Sequence, residues 1–109
     1  MYQIVCYVPA SHLESVKQAL FDQGAGHYGL YDCCSWETQG TGQYRPLAAS
    51  NPYAGTQHQL ERVPEYKIEL ICQPQHLHAA IKAMLQAHPY ETPAYHIYPV
   101  HTMDSLPIE

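Results

Sequence analysis

The chain has 109 residues, of which 46% are hydrophobic and 14% charged, and its formal net charge is -5. This composition is typical of one globular domain over residues 1–109 that buries its own core. Five basic residues cannot readily supply the positive stripe that nucleic-acid binding needs or favour an anionic membrane surface. No apolar run reaches the roughly 18 residues of a membrane-spanning helix, and no secretory signal is visible at the start. We therefore expect a cytoplasmic protein.

The first part of the chain predicts a strand followed by a helix. Residues 2–8 alternate β-branched and aromatic side chains with the period of two that is typical of a strand. Ser11 and Glu14 have the spacing of a capping box. We therefore expect a helix over residues 11–23, with Gly24 as its C-terminal cap.

The middle of the chain predicts a hairpin and a long loop. Residues 30–37 have strand character, and the glycines within residues 38–42 indicate a turn that leads to a partner strand at 43–47. Residues 48–62 are polar and contain turn signals. A connection of this length is often a functional lid or an interface arm.

The last part of the chain predicts a strand, a helix and a final strand. Residues 63–72 alternate as a strand does, and Pro74 opens a helix that ends at about His88. Residues 95–100 form the last predicted strand. Residues 101–109 are predicted to be an irregular tail.

With the hairpin counted as one β element, the predicted order is β-α-β-β-α-β, which indicates an α+β protein. With right-handed crossovers this order gives a ferredoxin-like sandwich, an antiparallel four-stranded sheet with both helices on one face. Val5 and Tyr7 lie on the opposite face of the first strand. We therefore expect association to cover the open face of the sheet.

Four cysteines, at positions 6, 33, 34 and 72, have a spacing that fits neither a zinc site nor a disulfide-stapled scaffold. Adjacent cysteines on a strand point to opposite faces and cannot easily share one tetrahedral metal ion. In a reducing cytosol they are expected to be buried free thiols.

The segment 88–95 is the sharpest candidate for a functional site. It follows the second helix, and its two prolines make it a stiff turn. His88 and Glu91 are suited to hold a divalent cation or to form a hydrogen-bonded pair. Alternatively, they satisfy backbone groups at the helix end, where a histidine also suits the dipole. His27, from the glycine-rich turn at 24–29, would complete a three-ligand metal site if this turn lies beside the turn at 88–91, within the chain or across a subunit boundary.

Four further residues are candidates for binding a small ligand, namely Tyr28, Trp36, Arg45 and Tyr90. Arg45 is suited to clamp an anion, or to pair with Glu37 or Glu91. Alternatively to binding a ligand, Trp36 packs in the core or in an interface. No serine or cysteine has the local context of a catalytic nucleophile, so these residues do not indicate an enzyme.

The chain resembles the middle insert of the YqfO family, whose members are described as dinuclear-metal proteins and as homologues of GTP cyclohydrolase I type 2. The resemblance covers nearly the whole chain and consists of several motifs in order, at residues 26–31, 34–36, 40–46, 51–52, 55, 61–67 and 87–95. The turn at 88–91 is also similar to one in the CutA divalent-ion-tolerance proteins.

This resemblance implies a stand-alone insert domain with the trimeric ferredoxin-like fold shared by CutA and PII signalling proteins. In full-length YqfO members the two metal ions are held by flanking halves that this chain lacks. The dimetal centre, and any hydrolase activity attached to it, are therefore not implied for this chain.

Three functions remain open from the sequence. The first is a regulatory homo-oligomer, a trimer that binds a metabolite or a divalent metal ion in clefts between subunits. The second is a structural or protein-interaction module without a ligand. The third is a metal-dependent hydrolase that acts through His27, His88 and Glu91.

Overall fold

The structure is a computed structural model that describes residues 1–108. Its four strands form one antiparallel sheet in the order β2-β3-β1-β4. The elements are β1 (Tyr2–Pro9), α1 (Leu13–Asp22), β2 (Trp36–Tyr44), β3 (Glu61–Cys72), α2 (Pro74–Ala87) and β4 (Tyr95–Pro99), with short 3-10 helices at Ala10–His12 and Met103–Ser105. The predicted α+β fold class and element order are confirmed. Among the described residues, no helix is long and apolar enough to cross a membrane.

The hydrophobic core lies between one face of the sheet and the two helices. Alternate residues of β1 and of the second half of β3 face this core, as the two-residue period of a strand requires. Both helices contribute an apolar stripe to the same cluster and therefore lie on the same face of the sheet. The core residues are Ile4, Cys6, Val8, Leu13, Val16, Leu20, Ala25, Ile68, Leu70, Cys72, Ala80 and Met84.

On the opposite face of the sheet, the sequence predicts an open apolar surface that association covers. In the structure this face is partly covered and partly charged. Val5 is only 4% exposed within the single chain, and Tyr7 is half-buried. Charged side chains of β3 flank them, because Lys67 is opposite Tyr7 and Glu69 is opposite Val5. Association is therefore not needed to bury Val5.

The predicted hairpin over residues 30–47 is wrong. A single strand, β2, runs through both glycines, and Gly40 and Gly42 pair with Glu65 and Val63 of β3. Glycines with this spacing are a hairpin signal, but a strand at the edge of a sheet tolerates them as well. The chain reverses later, through a connection at residues 45–60 that leads into β3.

The ends of the first helix also differ in part from the prediction. Ser11 does not cap the helix, because it lies in the preceding 3-10 helix and its Oγ is hydrogen-bonded to His12 Nδ1 at 2.8 Å. The helix begins at Leu13. At the other end, Gly24 adopts a φ of +94° and donates its N–H to Phe21 at 3.0 Å, so the predicted glycine stop is present.

The remaining elements agree more closely with the sequence. Pro74 is the first residue of α2, and the helix stops before His88, which has an extended backbone with φ -75° and ψ 135°. This is the conformation that the following proline imposes. Strand β3 begins two residues earlier than predicted, and the tail contains a 3-10 helix instead of being irregular throughout.

All four cysteines are free thiols, as expected, but only Cys6 and Cys72 are buried. Burial raises the pKa of Cys6 to about 12, which keeps it protonated and unreactive. Cys33 is exposed and Cys34 is only partly buried, so the expectation that all the thiols are buried is wrong at these two positions.

Candidate functional site

A cavity of about 420 Å³ lies between the connection at 45–60, the turn at 88–94 and the open face of the sheet. A volume of this order lies within the range of small-molecule sites, about 300–1,000 Å³. Four tyrosines and three charged side chains contribute to its lining, together with other polar and aliphatic residues. The lining residues used below are Tyr7, Tyr44, Arg45, Tyr53, Glu65, Tyr90 and Glu91.

Three hydrogen bonds fix the walls of this cavity. The backbone N–H of Asn51 donates to Glu91 Oε2 at 3.0 Å and joins the connection to the turn. The hydroxyl of Tyr44 donates to the carbonyl of Ala54 at 2.7 Å, which holds the connection against the end of β2. The turn is joined to β1 by the bond from the N–H of Tyr7 to the carbonyl of Ala94, 3.1 Å long.

Tyr90 is the centre of an aromatic cluster. Its ring centroid is 6.1 Å from that of Tyr44 and 6.1 Å from that of Tyr53, with tilted planes. On its other side the ring of His88 lies at 5.0 Å. Tyr53 is in turn braced by His12 in an edge-to-face contact of 5.5 Å. Tilted and edge contacts at these distances are the favourable arrangements of aromatic pairs.

His88 has a structural position. Its side chain is 6% exposed, Nε2 lies 2.7 Å from the carbonyl oxygen of Tyr7, and Nδ1 accepts the backbone N–H of Tyr90 at 3.1 Å. Nε2 must therefore carry the proton, and the ring is neutral. Burial lowers the pKa of His88 below 6.5, against the opposing effects of the Tyr7 bond and the Glu65 charge. Both nitrogens are engaged within the chain, so metal binding by His88 would require one of these bonds to break, and it stays a prediction.

His27 lies at the other end of the sheet. Gly26, the residue before it, donates its N–H to the carbonyl of Ile71. Ile71 pairs with Gln3 of β1. His88, by contrast, is bonded to Tyr7. Four residues of extended strand span about 13 Å, and a metal–nitrogen bond is only about 2 Å long. One ion within the chain therefore cannot touch both histidines.

The third predicted metal ligand, Glu91, does line the cavity. It does not form a metal-binding group with His27 and His88 in the described part of the single chain. One of its carboxylate oxygens is occupied by Asn51. In residues 1–108 of the single chain, no cluster of three histidine, cysteine or acidic side chains has a geometry suited to a metal ion. The predicted metal set is therefore not assembled.

The predicted ligand-binding residues fall into two groups. Arg45 and Tyr90 line the cavity, whereas Tyr28 and Trp36 lie outside it and are exposed, Trp36 by 68%. Arg45 forms no ion pair within the described chain; Glu37, one of its predicted partners, is bound to Lys17 at 2.7 Å instead.

Glu65 is a site residue that the sequence analysis missed. It is half-buried on the open face of the sheet and packs against Gly42, where a β-carbon would collide with its carboxylate. The pKa of Tyr90 is raised by burial, then by its hydrogen bond to Glu65 and the Glu65 charge. The pKa of Tyr44 is raised by burial, then by the charges of Glu61 and Glu65. The pairing register brings these groups together, and a period-two pattern alone does not reveal which strands are neighbours.

The comparisons with known proteins identify relatives of this chain. No family model matches it. The GTP cyclohydrolase 1 type 2 homolog of Halalkalibacterium halodurans is 42% identical over 100 residues, which are 92% of this chain and 27% of that protein. The chain is homologous to one segment of the GTP cyclohydrolase 1 type 2 homologues. It spans about a quarter of the length of these relatives, and the resemblance predicted from the motifs is confirmed.

Solved structures agree with this relationship. The Bacillus cereus protein related to NIF3 superposes with a TM-score of 0.80 at 42% identity, over 93% of this chain and 26% of that one. The periplasmic divalent cation tolerance protein CutA from Archaeoglobus fulgidus has a TM-score of 0.66 at 13% identity, over 94% and 86% of the two chains. At this identity the CutA match shows the fold alone, which is the predicted CutA-like, ferredoxin-like type.

Proposed function

We propose that this chain is a regulatory ligand-binding domain that assembles with copies of itself, as a trimer, and holds a small molecule in the cavity around Tyr90. The observation that carries the proposal is the cavity, in which two predicted ligand residues, Arg45 and Tyr90, lie among aromatic side chains. An apolar pocket with a few converging polar groups is the usual form of a small-molecule site. Free thiols, one of them exposed, favour the cytoplasm as its setting.

A different part of the surface supports self-association. Strands β2 and β4 are the two edges of the sheet, and an unpaired edge offers backbone groups to another chain. Before and at the start of β2, three large apolar side chains are exposed, Leu30 by 98% and Tyr31 and Trp36 by more than half. Exposed aromatic residues next to an open edge are typical of an interface.

The same exposed segment favours a second candidate function, a protein-interaction module whose partner is another protein. In that case the cavity would remain without a small ligand. A divalent metal at His27, His88 and Glu91, and the hydrolase activity that would depend on it, are not proposed. The nitrogens of His88 are engaged, and His27 lies at the far end of the sheet.

Native mass spectrometry of the untagged protein tests the proposal, because it measures the number of subunits and the bound mass together. We expect a trimer with bound small molecule. Tyr53→Ala should remove the bound mass and leave the trimer, since Tyr53 lines the cavity. Trp36→Ala should weaken the trimer and leave binding intact.

These variants are matched, because each truncates an exposed aromatic side chain. A monomer at every concentration would contradict the assembly. A trimer without bound mass, together with an absence of binding in a screen of small molecules, would contradict the ligand site and favour the interaction module.

A further inference from the structure

Glu65 is a carboxylate without a basic partner. The nearest basic residue on its strand, Lys67, lies 3.5 Å from Glu69 instead. In the part of the chain that the structure describes, no lysine, arginine or histidine forms an ion pair with Glu65. The hydroxyl of Tyr90 is hydrogen-bonded to this carboxylate and offsets part of the cost of burying its charge, but no cation within the described chain does so. This carboxylate also lines the cavity.

The rings beside Glu65 are those of tyrosines. Tyr44, Tyr53 and Tyr90 line the cavity together, and the tilt between neighbouring ring planes is 57° and 47°. The faces of aromatic rings carry negative charge density. A cation within about 6 Å of such a face is attracted to it, and more strongly where water is excluded.

The charge balance of the lining favours a cation over an anion. Two carboxylates, Glu65 and Glu91, and one guanidinium, that of Arg45, line the cavity. Arg45 is exposed, whereas Glu65 is half-buried. The Glu65 charge also contributes to the pKa shifts of Cys6, Tyr44, His88 and Tyr90. The dominant fixed charge in the interior of the site is therefore negative.

We propose that the ligand of this cavity is a small organic cation, an amine whose ammonium group lies against Glu65 and whose apolar part packs against Tyr44, Tyr53 and Tyr90. The ammonium would compensate the Glu65 charge and face the tyrosine rings. The apolar part would displace water from the aromatic walls. The inference rests on the proposed ligand site and adds the chemical class of the ligand.

Three probes with the same aromatic body and different charge test this class, namely benzylamine as the ammonium, benzyl alcohol as the neutral compound and benzoate as the anion. Choline serves as a second cation. Binding is measured by NMR titration of the unmodified chain, with shifts followed at the cavity residues. We expect benzylamine and choline to bind, and benzyl alcohol and benzoate to bind at least tenfold more weakly than benzylamine.

The contribution of Glu65 is tested by Glu65→Gln, which keeps the shape of the side chain and removes its charge. This substitution should weaken the binding of benzylamine at least tenfold and leave the binding of benzyl alcohol unchanged. Glu69→Gln is the matched control, because Glu69 lies on the same strand and face and outside this cavity. It should leave benzylamine binding unchanged.

Other results would overturn the inference in different ways. Equal binding of all three aromatic probes, or tightest binding of benzoate, would show that the site does not select cations. The proposed ligand site would then stand, and the inference that its ligand is a cation would fail. Loss of benzylamine binding in Glu69→Gln but not in Glu65→Gln would also overturn it. If no probe binds and native mass spectrometry shows no bound mass, both the cation and the ligand site fail.

Discussion

Two regions that the sequence marked as functional have opposite environments in the structure. In the turn at 88–94, the polar groups are engaged, with both ring nitrogens of His88 bonded to the backbone and Glu91 bonded to the connection. In the segment 27–36 the chemistry-bearing side chains are mostly exposed, including His27, Tyr28 and Trp36. Only the turn forms a wall of the cavity.

The difference shows that a histidine can fix the wall of a cavity without lining that cavity itself. His88 holds the backbone of Tyr90 at the position from which its ring reaches the cavity. It is therefore a positioning residue. The segment 27–36 presents apolar area to the outside, which suits contact with another chain.

His88→Ala should have the largest effect on stability. The substitution leaves the carbonyl of Tyr7 and the N–H of Tyr90 without their partner, and an unsatisfied buried polar group costs roughly 1–3 kcal/mol. We expect the free energy of unfolding to fall by about 3 kcal/mol, measured by denaturant titration at fixed protein concentration.

His27→Ala is the control, since His27 is exposed. A surface substitution of this kind usually changes stability by no more than about 0.5 kcal/mol. Equal losses in the two variants would show that the contrast between the buried turn and the exposed segment does not hold in solution.

The fold was largely predictable because its signals are local. Alternation in β1 and β3, Pro74 at the start of α2 and Gly24 after α1 each indicate an element from neighbouring residues alone. The failure at β2 has a physical reason. Glycines in this strand are tolerated because it is an edge, and its position in the sheet depends on pairing with a distant part of the chain.

The site was predictable only in part, for the same reason. Arg45 and Tyr90 were identified, but Glu65 was missed because it alternates on a strand like any solvent-facing residue. Its position over Gly42 depends on the register between β2 and β3. Sequence reasoning grouped His27 with His88 by chemistry, and the topology separates them.

The second prediction concerns the close approach of β2 to Glu65. Gly42→Ala would place a β-carbon against the Glu65 carboxylate, whereas nothing lies within 4 Å of a β-carbon at Gly40. We expect Gly42→Ala to move this carboxylate and weaken benzylamine binding at least tenfold, about 1.4 kcal/mol. Gly40→Ala, on the same face of the same strand, should bind normally.

The same NMR titration that follows the cavity residues measures both variants. If they bind equally well, the position of Glu65 does not determine the affinity of the site. A loss of the β2–β3 pairing in both variants would instead show a strand defect, which far-ultraviolet circular dichroism would report.

The smallest expected effect is a loss of stability in acid that depends on His88. Its pKa in the folded chain lies below 6.5, chiefly through burial, with Glu65 opposing the shift and His12 adding to it. Below about pH 6.5, the unfolded state therefore binds a proton that the folded state does not, and stability falls as the pH falls. Protonation at Nδ1 also removes the acceptor for the N–H of Tyr90.

The unfolding free energy should therefore decrease from about pH 7 to about pH 5 more steeply in the native chain than in His88→Gln, which cannot titrate. Groups that titrate in both proteins cancel in the difference between the two curves. Parallel curves would mean that His88 is protonated as readily in the folded as in the unfolded chain. The ring would then not be held neutral between Tyr7 and Tyr90, and its role in positioning the wall of the cavity would be lost with it.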